Sequence, residues 1–383
     1  MHFLFSGMRI QRMNLQNFRN HDDVEVEWAP ALNVIVGPNG AGKTNLIDAI
    51  HYLCMSKSFV TGSDTHVLRQ GESLFEIEGD FEGSIRSRFN LKCVYSRGEG
   101  KKFWVNESPL DRLADLIGMV PVVVLSPNDR KLTNEGPAER RSFIDGFISQ
   151  LSRQYLRDII DYRRVVKQRN RLLQTYMDPT QMSIYIEPWN EQLITLGSRV
   201  IAKRTQVINR FQEYLSRQYQ RMSGVGIQPN LLYQPFCSPS EDEAGIRKAF
   251  GKELERVADK ERERQFTLVG PHRDEIVFKL DDMEVRKFGS QGQHRLFALS
   301  LKMAQLFYYS DELDDLPIFL LDDVFGDLDP HKTDVLFEAL NEHTGQIFIT
   351  SADPELIEGR IHEEDFNHRS YKVEDGGKIT MMV

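Results

Sequence analysis

Cysteine is scarce in this chain. Three occur in 383 residues, at Cys54, Cys93 and Cys237, with no Cys-x-x-Cys pair among them. That excludes a disulfide framework and a cysteine zinc site, and it favours a reducing, cytoplasmic setting. No apolar run approaches the length of a membrane-spanning helix, so no helical membrane span is expected. Residues 1–7 are too short for a secretory leader, and Met8 is a candidate start because the strand-like pattern begins there. Positive charge is not in excess: the net charge is −9, so no global basic field attracts nucleic acid and any such surface has to be local. Internal repeats and low-complexity segments are lacking too. Hydrophobic residues make up 40% of the chain, ample for a core, and the length suits one large domain or two smaller ones.

Against this background one stretch carries explicit chemistry. Gly37, Pro38, Asn39, Gly40, Ala41, Gly42, Lys43 and Thr44 read G-x-x-x-x-G-K-[ST], with an apolar run at 32–36 before them and a helical pattern at 45–53 after. The glycines let the backbone curl until its N–H groups face phosphate oxygens, and the following helix N-terminus adds a positive dipole end. Lys43 can reach the β- and γ-phosphates of ATP, and Thr44 can ligand Mg²⁺. The plain alternative is an ordinary glycine-rich turn. Far downstream, Pro317-Ile-Phe-Leu-Leu-Asp-Asp323 reads as a buried strand ending in two acids. Asp322 would hold Mg²⁺ and Asp323 would polarise the attacking water, although apolar runs also leave strands through Asp-Asp without such a role.

A third motif, Ser290-Gln291-Gly292-Gln293, opens a helical run at 294–309. It resembles the signature of ABC-type ATPases, in which the serine and glycine of one subunit touch the γ-phosphate held by another. Alone it reads equally as Ser290 capping its own helix. Gly326-Asp-Leu-Asp329 matches the D-loop of the same class, or is a simple Asp-rich turn. Gln70 is a candidate Q-loop residue or an exposed loop residue. Arg12 and the segment 17–20 are candidates for nucleotide-base contact or a strand-end turn.

The expected organisation is α/β: an ABC-type P-loop ATPase head split by a helical, antiparallel coiled-coil-like arm. The head's first part spans 8–137, the arm 138–265, and the second part 266–383, with 224–244 as linker candidate and 346–350 as a last core strand. On a helical wheel, residues 151–176 place Tyr155, Ile159 and Tyr162 on one face and Arg153, Arg157, Arg164, Lys167 and Arg171 on the opposite one. A second helix at 189–222, entered through Pro188, suits an antiparallel partner. Between 139 and 221 there are 15 Lys/Arg against 8 Asp/Glu. The stripe is either a track for a DNA backbone or a solvated helix face. Arg169 projects on the apolar side and is expected to pair with a carboxylate. His272 and Arg273 are candidates to link movement of the arm to the nucleotide site, or form a tight turn in which Arg273 bridges Asp274 or Asp322; Glu139-Arg140-Arg141 is a helix-start ion pair or the base of a DNA surface.

Taken together, these stretches resemble the RecF family of bacterial recombination mediators along nearly the whole chain. The resemblance rests on Asn17-Phe-Arg-Asn20, the P-loop region at 37–49, Glu139-Arg-Arg-Ser-Phe-Ile-Asp145, Gln168-Arg-Asn-Arg-Leu-Leu173, Gly270-Pro-His-Arg-Asp274, Ser290-Gln-Gly-Gln-His-Arg295 and Leu320 through Asp329. It implies an ATP- and Mg²⁺-dependent homodimer on duplex DNA with single-strand gaps or junctions, working with RecR and RecO to load RecA. Asp323 in place of a glutamate, and Thr350-Ser351 where transporters put a histidine, imply slow hydrolysis, and the family shares both. A short SMC-like chromosome-organising ATPase is the main rival, but the arm is too short to carry a hinge. A transporter subunit disagrees at Asp323 and at the arm, and a related nuclease would need further acidic metal ligands.

Overall fold

The computed structural model describes residues 7–84, 87–175, 178–238, 242–343, 345–357, 360, 367–374 and 376–382. Residues 1–6, of the stretch before the candidate start Met8, therefore lie outside the described residues, as do Tyr176 and 239–241 of the expected helix and linker. In chain order come β1 (Arg9–Phe18), β2 (His21–Glu27), β3 (Leu32–Val36), α1 (Lys43–Met55), β4 (Leu74–Glu82), β5 (Phe89–Ser96), β6 (Gly100–Val105), β7 (Ser108–Pro109) and β8 (Val122–Leu125). Then follow α2 (Arg130–Asn134), α3 (Pro137–Leu151), α4 (Arg153–Leu173), α5 (Pro179–Ser223), β9 (Pro229–Gln234), α6 (Glu243–Arg264), β10 (Glu275–Leu280), β11 (Met283–Glu284) and α7 (Val285–Phe288). The chain finishes with α8 (Gln291–Glu312), β12 (Ile318–Asp322), α9 (Pro330–Glu342), β13 (Ile347–Ser351), β14 (His368–Val373) and β15 (Ile379–Met382).

The chain divides into two compact units. The first comprises Met1–Asp129, Arg221–Gly224 and Leu299–Val383; the second comprises Arg130–Gln220 and Val225–Ala298. The expected boundaries at 137/138 and 265/266 group the residues differently. The inserted unit begins earlier and includes the small sheet, Ser290 and the first residues of α8.

In the first unit, a six-stranded sheet runs β15-β14-β3-β13-β12-β8, with β3, β8, β12, β13 and β14 in parallel pairings. Strands β3, β8, β12 and β13 are buried at every position, because a parallel sheet is covered on both faces. The second sheet, β2-β1-β4-β5-β6-β7, is antiparallel, and the alternating burial of β4 and β5 shows that only one face is covered. Helix α1 touches strands of both sheets and is therefore buried nearly all round. Leu46, Ile47, Ile50 and Leu53 are fully buried. Each such side chain contributes about 1.5–3 kcal/mol relative to exposure, so this helix and the loop that starts it are fixed on the sheets. The stretch expected to be the last core strand is followed by β14, which pairs parallel to β3, and by its hairpin partner β15.

The second unit packs α3, α4, α5 and α6 with the sheet β11-β10-β9. The expected helix at 151–176 breaks at Ser152, whose hydroxyl accepts from the Tyr155 N–H and so caps α4. Pro188 does not start a helix: it lies inside α5, which begins at Pro179. A proline removes one helical hydrogen bond and strains one turn, and the helix continues because its later turns are buried through Leu193, Val200, Val207 and Phe211. The linker candidate contains β9, which pairs with β10 in register from Pro229↔Leu280 to Gln234↔Glu275.

Candidate functional site

The carboxyl ends of β3, β12 and β13 meet at one place, since the register pairs Val36 with Ser351 and Asp322 with Thr350. The loop after β3 is the G-x-x-x-x-G-K-T stretch. Gly42 has φ +114°, and a Cβ there would run into the Asn20 amide. At Gly37 a Cβ would strike the Val373 carbonyl. The curl that aims N–H groups at an anion is therefore sterically reserved for glycine. Lys43 is buried and donates to its own loop, at 2.8 Å to the Gly37 carbonyl and 3.0 Å to that of Pro38. Burial lowers its pKa, while the charges of Asp323 and Asp322 oppose that shift.

One strand, β13, lies between β3 and β12 in the sheet order, yet the side chains of Thr44 and Asp322 touch. The Thr44 hydroxyl donates to Asp322 Oδ1 at 2.7 Å, and the Thr350 hydroxyl donates to the same oxygen at 2.9 Å. Asp322 is buried, and desolvation raises its pKa despite both hydrogen bonds. Asp323 turns the other way. Its φ is +47° and it is exposed, with its N–H pinned to Thr350 by the carbonyl at 3.2 Å and the hydroxyl at 3.0 Å. A non-glycine residue held left-handed next to a buried acid is local backbone strain beside the Thr44–Asp322 contact. A hydroxyl and a carboxylate at a phosphate loop fit the hard-oxygen preference of Mg²⁺, which keeps waters and phosphate oxygens as its other ligands. Bound there with ATP, the ion would neutralise charge on the phosphate oxygens, with Thr44 and Asp322 holding it. No group of three or more His, Cys, Asp or Glu able to hold a metal occurs among the described residues.

Support for the loop comes from residues whose role is not visible in the sequence. In Asn17-Phe-Arg-Asn20, Asn17 and Arg19 both have positive φ, 55° and 54°. That double turn sends Asn20 to the loop, where its amide donates to the Ala41 carbonyl at 2.7 Å and accepts from Asn45 at 2.6 Å. Arg19 bonds Asp48 of α1 at 2.6 Å. His21 is fully buried, 3.2 Å from the Gly42 carbonyl and 3.0 Å from that of Gly377, and desolvation lowers its pKa, so a neutral ring donates to only one of them. The segment expected at the nucleotide base thus braces the phosphate loop. Arg12 is engaged with Asp80 at 3.1 Å and Glu25 at 3.3 Å, and Gln70 is exposed in the turn before β4.

In the second unit, Ser290, Gln291 and Gly292 are exposed at the start of α8. Ser290 does cap this helix, and reciprocally: its hydroxyl accepts from the Gln293 N–H at 3.3 Å, and the Gln293 side chain accepts from the Ser290 N–H at 2.8 Å. In the first unit, Asp329 caps α9 by accepting from the Lys332 N–H. All five stripe residues, Arg153, Arg157, Arg164, Lys167 and Arg171, are exposed along α4. Arg169 is buried and paired with Glu261 at 2.6 Å. Of the readings for Arg273, the bridge to Asp274 is not formed. That side chain lies over the Phe266 ring, and it is Arg204 that approaches Asp274, at 3.9 Å, in a hub with Asp145 at 2.8 Å. Arg140 bonds Glu275 rather than Glu139, and Arg141 bonds the Asp274 carbonyl. The helix-start pair with Glu139 is thus replaced by contacts with the start of β10 and the residue before it.

The Thr44–Asp322 arrangement has a direct consequence for stability. A carboxyl whose folded pKa lies above its unfolded value contributes most below the unfolded value, and that share is lost as pH rises through the folded one. Asp322→Asn is therefore expected to melt higher than the parent at pH 8 without nucleotide, with the gain vanishing near pH 4, and to lose the extra stabilisation from ATP with Mg²⁺. Scanning fluorimetry at both pH values checks this; a lower melting temperature at pH 8 would count against it.

A family model described as the RecF/RecN/SMC N terminal domain matches residues 9–375. The DNA replication and repair protein RecF of Salinibacter ruber is 41% identical over 379 residues, covering 97% of this chain and 91% of that protein. Its counterpart from Chloroherpeton thalassium is 37% identical, covering 90% and 95%. Among solved structures, the recombination mediator protein RecF-ATP of the RecFOR pathway superposes with a TM-score of 0.90 at 26% identity, over 98% of this chain and 99% of that one. An Smc head domain from Pyrococcus furiosus shares the fold alone, with a TM-score of 0.58 at 13% identity over 98% and 96%. With the phosphate loop, the paired acids at the end of β12 and the Ser-Gln-Gly-Gln helix start all set on that scaffold, the chain belongs to the RecF family of DNA replication and repair proteins.

Proposed function

We propose that this chain is an ATP-dependent, DNA-binding recombination mediator. It dimerises with ATP on gapped or junction-bearing duplex, works with RecR and RecO, and helps load RecA at single-strand gaps in repair and replication restart. Slow hydrolysis resets the clamp. The observation that carries the reading is the meeting of Thr44, Asp322 and Thr350 at one carboxylate oxygen beside Lys43, a site built for a nucleoside triphosphate. The exposed Ser290-Gln291-Gly292 turn supports a composite site, since the γ-phosphate on one copy would meet these groups on another. In such a site ATP and dimerisation are linked, and whatever favours the dimer tightens ATP. Within it Lys43 binds and orients the phosphates, Asp323 orients the attacking water and accepts its proton, and the closed interface excludes bulk water. Asp323 is one methylene shorter than a glutamate, which weakens water positioning and slows turnover. The SMC-like alternative is supported by shared fold only.

The test is light-scattering mass after size exclusion, with and without ATP, using Asp323→Asn to block turnover and adding gapped duplex. The expected result is an ATP-dependent dimer that retains DNA. Ser290→Arg should leave monomeric ATP binding intact and remove the dimer; normal ATP-driven dimerisation of that variant would refute the composite site.

A further inference from the structure

In the second unit, a trough of about 620 Å³ runs between α4 and α5, within the size range of small-molecule sites. Val165 and Leu196 line its apolar part, Gln168 and Gln192 its polar part, and Trp189 and Arg164 complete it. Arg164 belongs to the exposed cationic stripe of α4, and Lys167 and Arg171 continue that stripe. Two acids also reach the trough. Asp161 pairs with Arg164 at 2.9 Å, and both are well exposed, so the pair is weak and easily exchanged for a phosphate. Glu191 faces Arg247 at 4.0 Å. Tyr185, 59% exposed, sits one turn before Trp189 on the same face of α5.

An indole and an arginine lining one trough with side-chain amides, and further cations continuing along α4, supply the chemistry that holds an unpaired nucleobase: a stacking surface, hydrogen-bonding edges and a phosphate contact. We propose that this trough seats an unpaired nucleotide of single-stranded DNA, with Trp189 as its stacking platform and Arg164 on its phosphate. A paired base buries its faces in the duplex stack, so the trough selects single-stranded DNA at the edge of a gap while the rest of the stripe follows the duplex. The inference rests on the reading that this arm meets DNA, and it supplies a residue-level origin for a gap preference.

The experiment uses the full chain with ATP and measures fluorescence anisotropy on a fully paired duplex and on the same duplex with a thymidine gap. Trp189→Ala should weaken binding to gapped DNA about tenfold and leave the paired duplex unchanged, while Trp189→Phe should keep most of the affinity. Gln192→Glu, an exposed change that places a negative charge on the wall, should also reduce gap selectivity. Photo-crosslinking from 5-iododeoxyuridine in the gap should map to Trp189. Gap selectivity that survives Trp189→Ala, an equal loss on both DNAs, or a crosslink elsewhere overturns the trough proposal while leaving DNA binding intact. A parent chain that binds neither DNA overturns the DNA-binding reading itself, and the trough with it.

Discussion

Lys43→Arg should leave ATP binding within a few-fold of the parent and lower hydrolysis by at least about a hundredfold, the scale seen when one group that stabilises transition-state charge is lost. The side chain is buried, and its ammonium points back into the loop, onto the carbonyls of Gly37 and Pro38. Those two carbonyls hold the nitrogen in a compact pocket that suits a point charge. A guanidinium is planar and longer, with its donors in a fixed fork, so it keeps the positive charge that attracts a triphosphate but cannot occupy the same point. Binding depends mostly on total charge and on the loop's N–H groups, whereas hydrolysis depends on where the charge sits as the γ-phosphoryl moves. The measurement pairs nucleotide titration by equilibrium dialysis with phosphate release over time. If hydrolysis in the variant stays within about threefold of the parent, Lys43 acts only as a ground-state anchor and its catalytic assignment fails.

The parts of this site that were legible in the sequence are those where chemistry and local geometry coincide. The P-loop demands glycine at fixed offsets, and the apolar runs at β3, β12 and β13 read as buried strands. The spacing offered residues 37–44 and Asp322 as candidates, with a plain turn and a plain strand exit as alternatives, and the fold brings Thr44 and Asp322 into contact. Residues that act through the turn of a neighbouring strand were not. His21 looks like any residue at the start of an acidic strand, and it becomes a loop brace only because β14 pairs with β3 and brings Gly377 to its other nitrogen. β14 itself was missed because His368–Val373 mixes polar and apolar residues, one place in from the sheet edge, where its outer neighbour is only the short strand β15. Pro188 misled for a related reason. Proline marks a helix start by local preference, and here the buried later turns of α5 outweigh one lost hydrogen bond. Arg273 and Arg204 show the same limit for charge. Both lie within reach of acids in principle, and only packing decides that Arg204 is the one taken inside.

That choice gives the second large effect. Arg204→Met should destabilise the second unit by about 3–5 kcal/mol at neutral pH, the range for breaking a buried ion pair from one side. Arg204 is 1% exposed. It donates to Asp145 at 2.8 Å and to the Pro271 carbonyl at 2.8 Å, and it lies 3.9 Å from Asp274. Tyr155 donates to Asp145 at 2.6 Å, Tyr233 to Asp274 at 2.5 Å, and the Phe236 N–H to Asp274 at 3.2 Å. Those bonds survive the substitution, but the buried positive charge does not, and two carboxylates are left facing each other's surroundings. Burial already raises the Asp274 pKa, with Arg204 opposing it, so removing the arginine raises it further. A carboxyl raised in the folded state loses its stabilising share as pH rises through its folded value. The penalty in Arg204→Met should accordingly shrink as pH falls from 8 to 5, and Asp145→Asn added to Arg204→Met should recover part of it. Because the chain has two units, a single melting curve would mix their transitions. Amide exchange along α4 and α5 reads the second unit directly. A penalty that stays constant with pH, or a double variant no more stable than the single one, would mean that Arg204 acts by filling space rather than by neutralising the acids around Gly270-Pro-His-Arg-Asp274. If charge is what matters, that segment is held by electrostatics from the arm side and by Arg140 and Arg141 from α3, and β10 carries its position on through β11 and α7 to Ser290. On that account the proposed ATP-dependent dimer should weaken in Arg204→Met even though the substitution touches neither nucleotide motif.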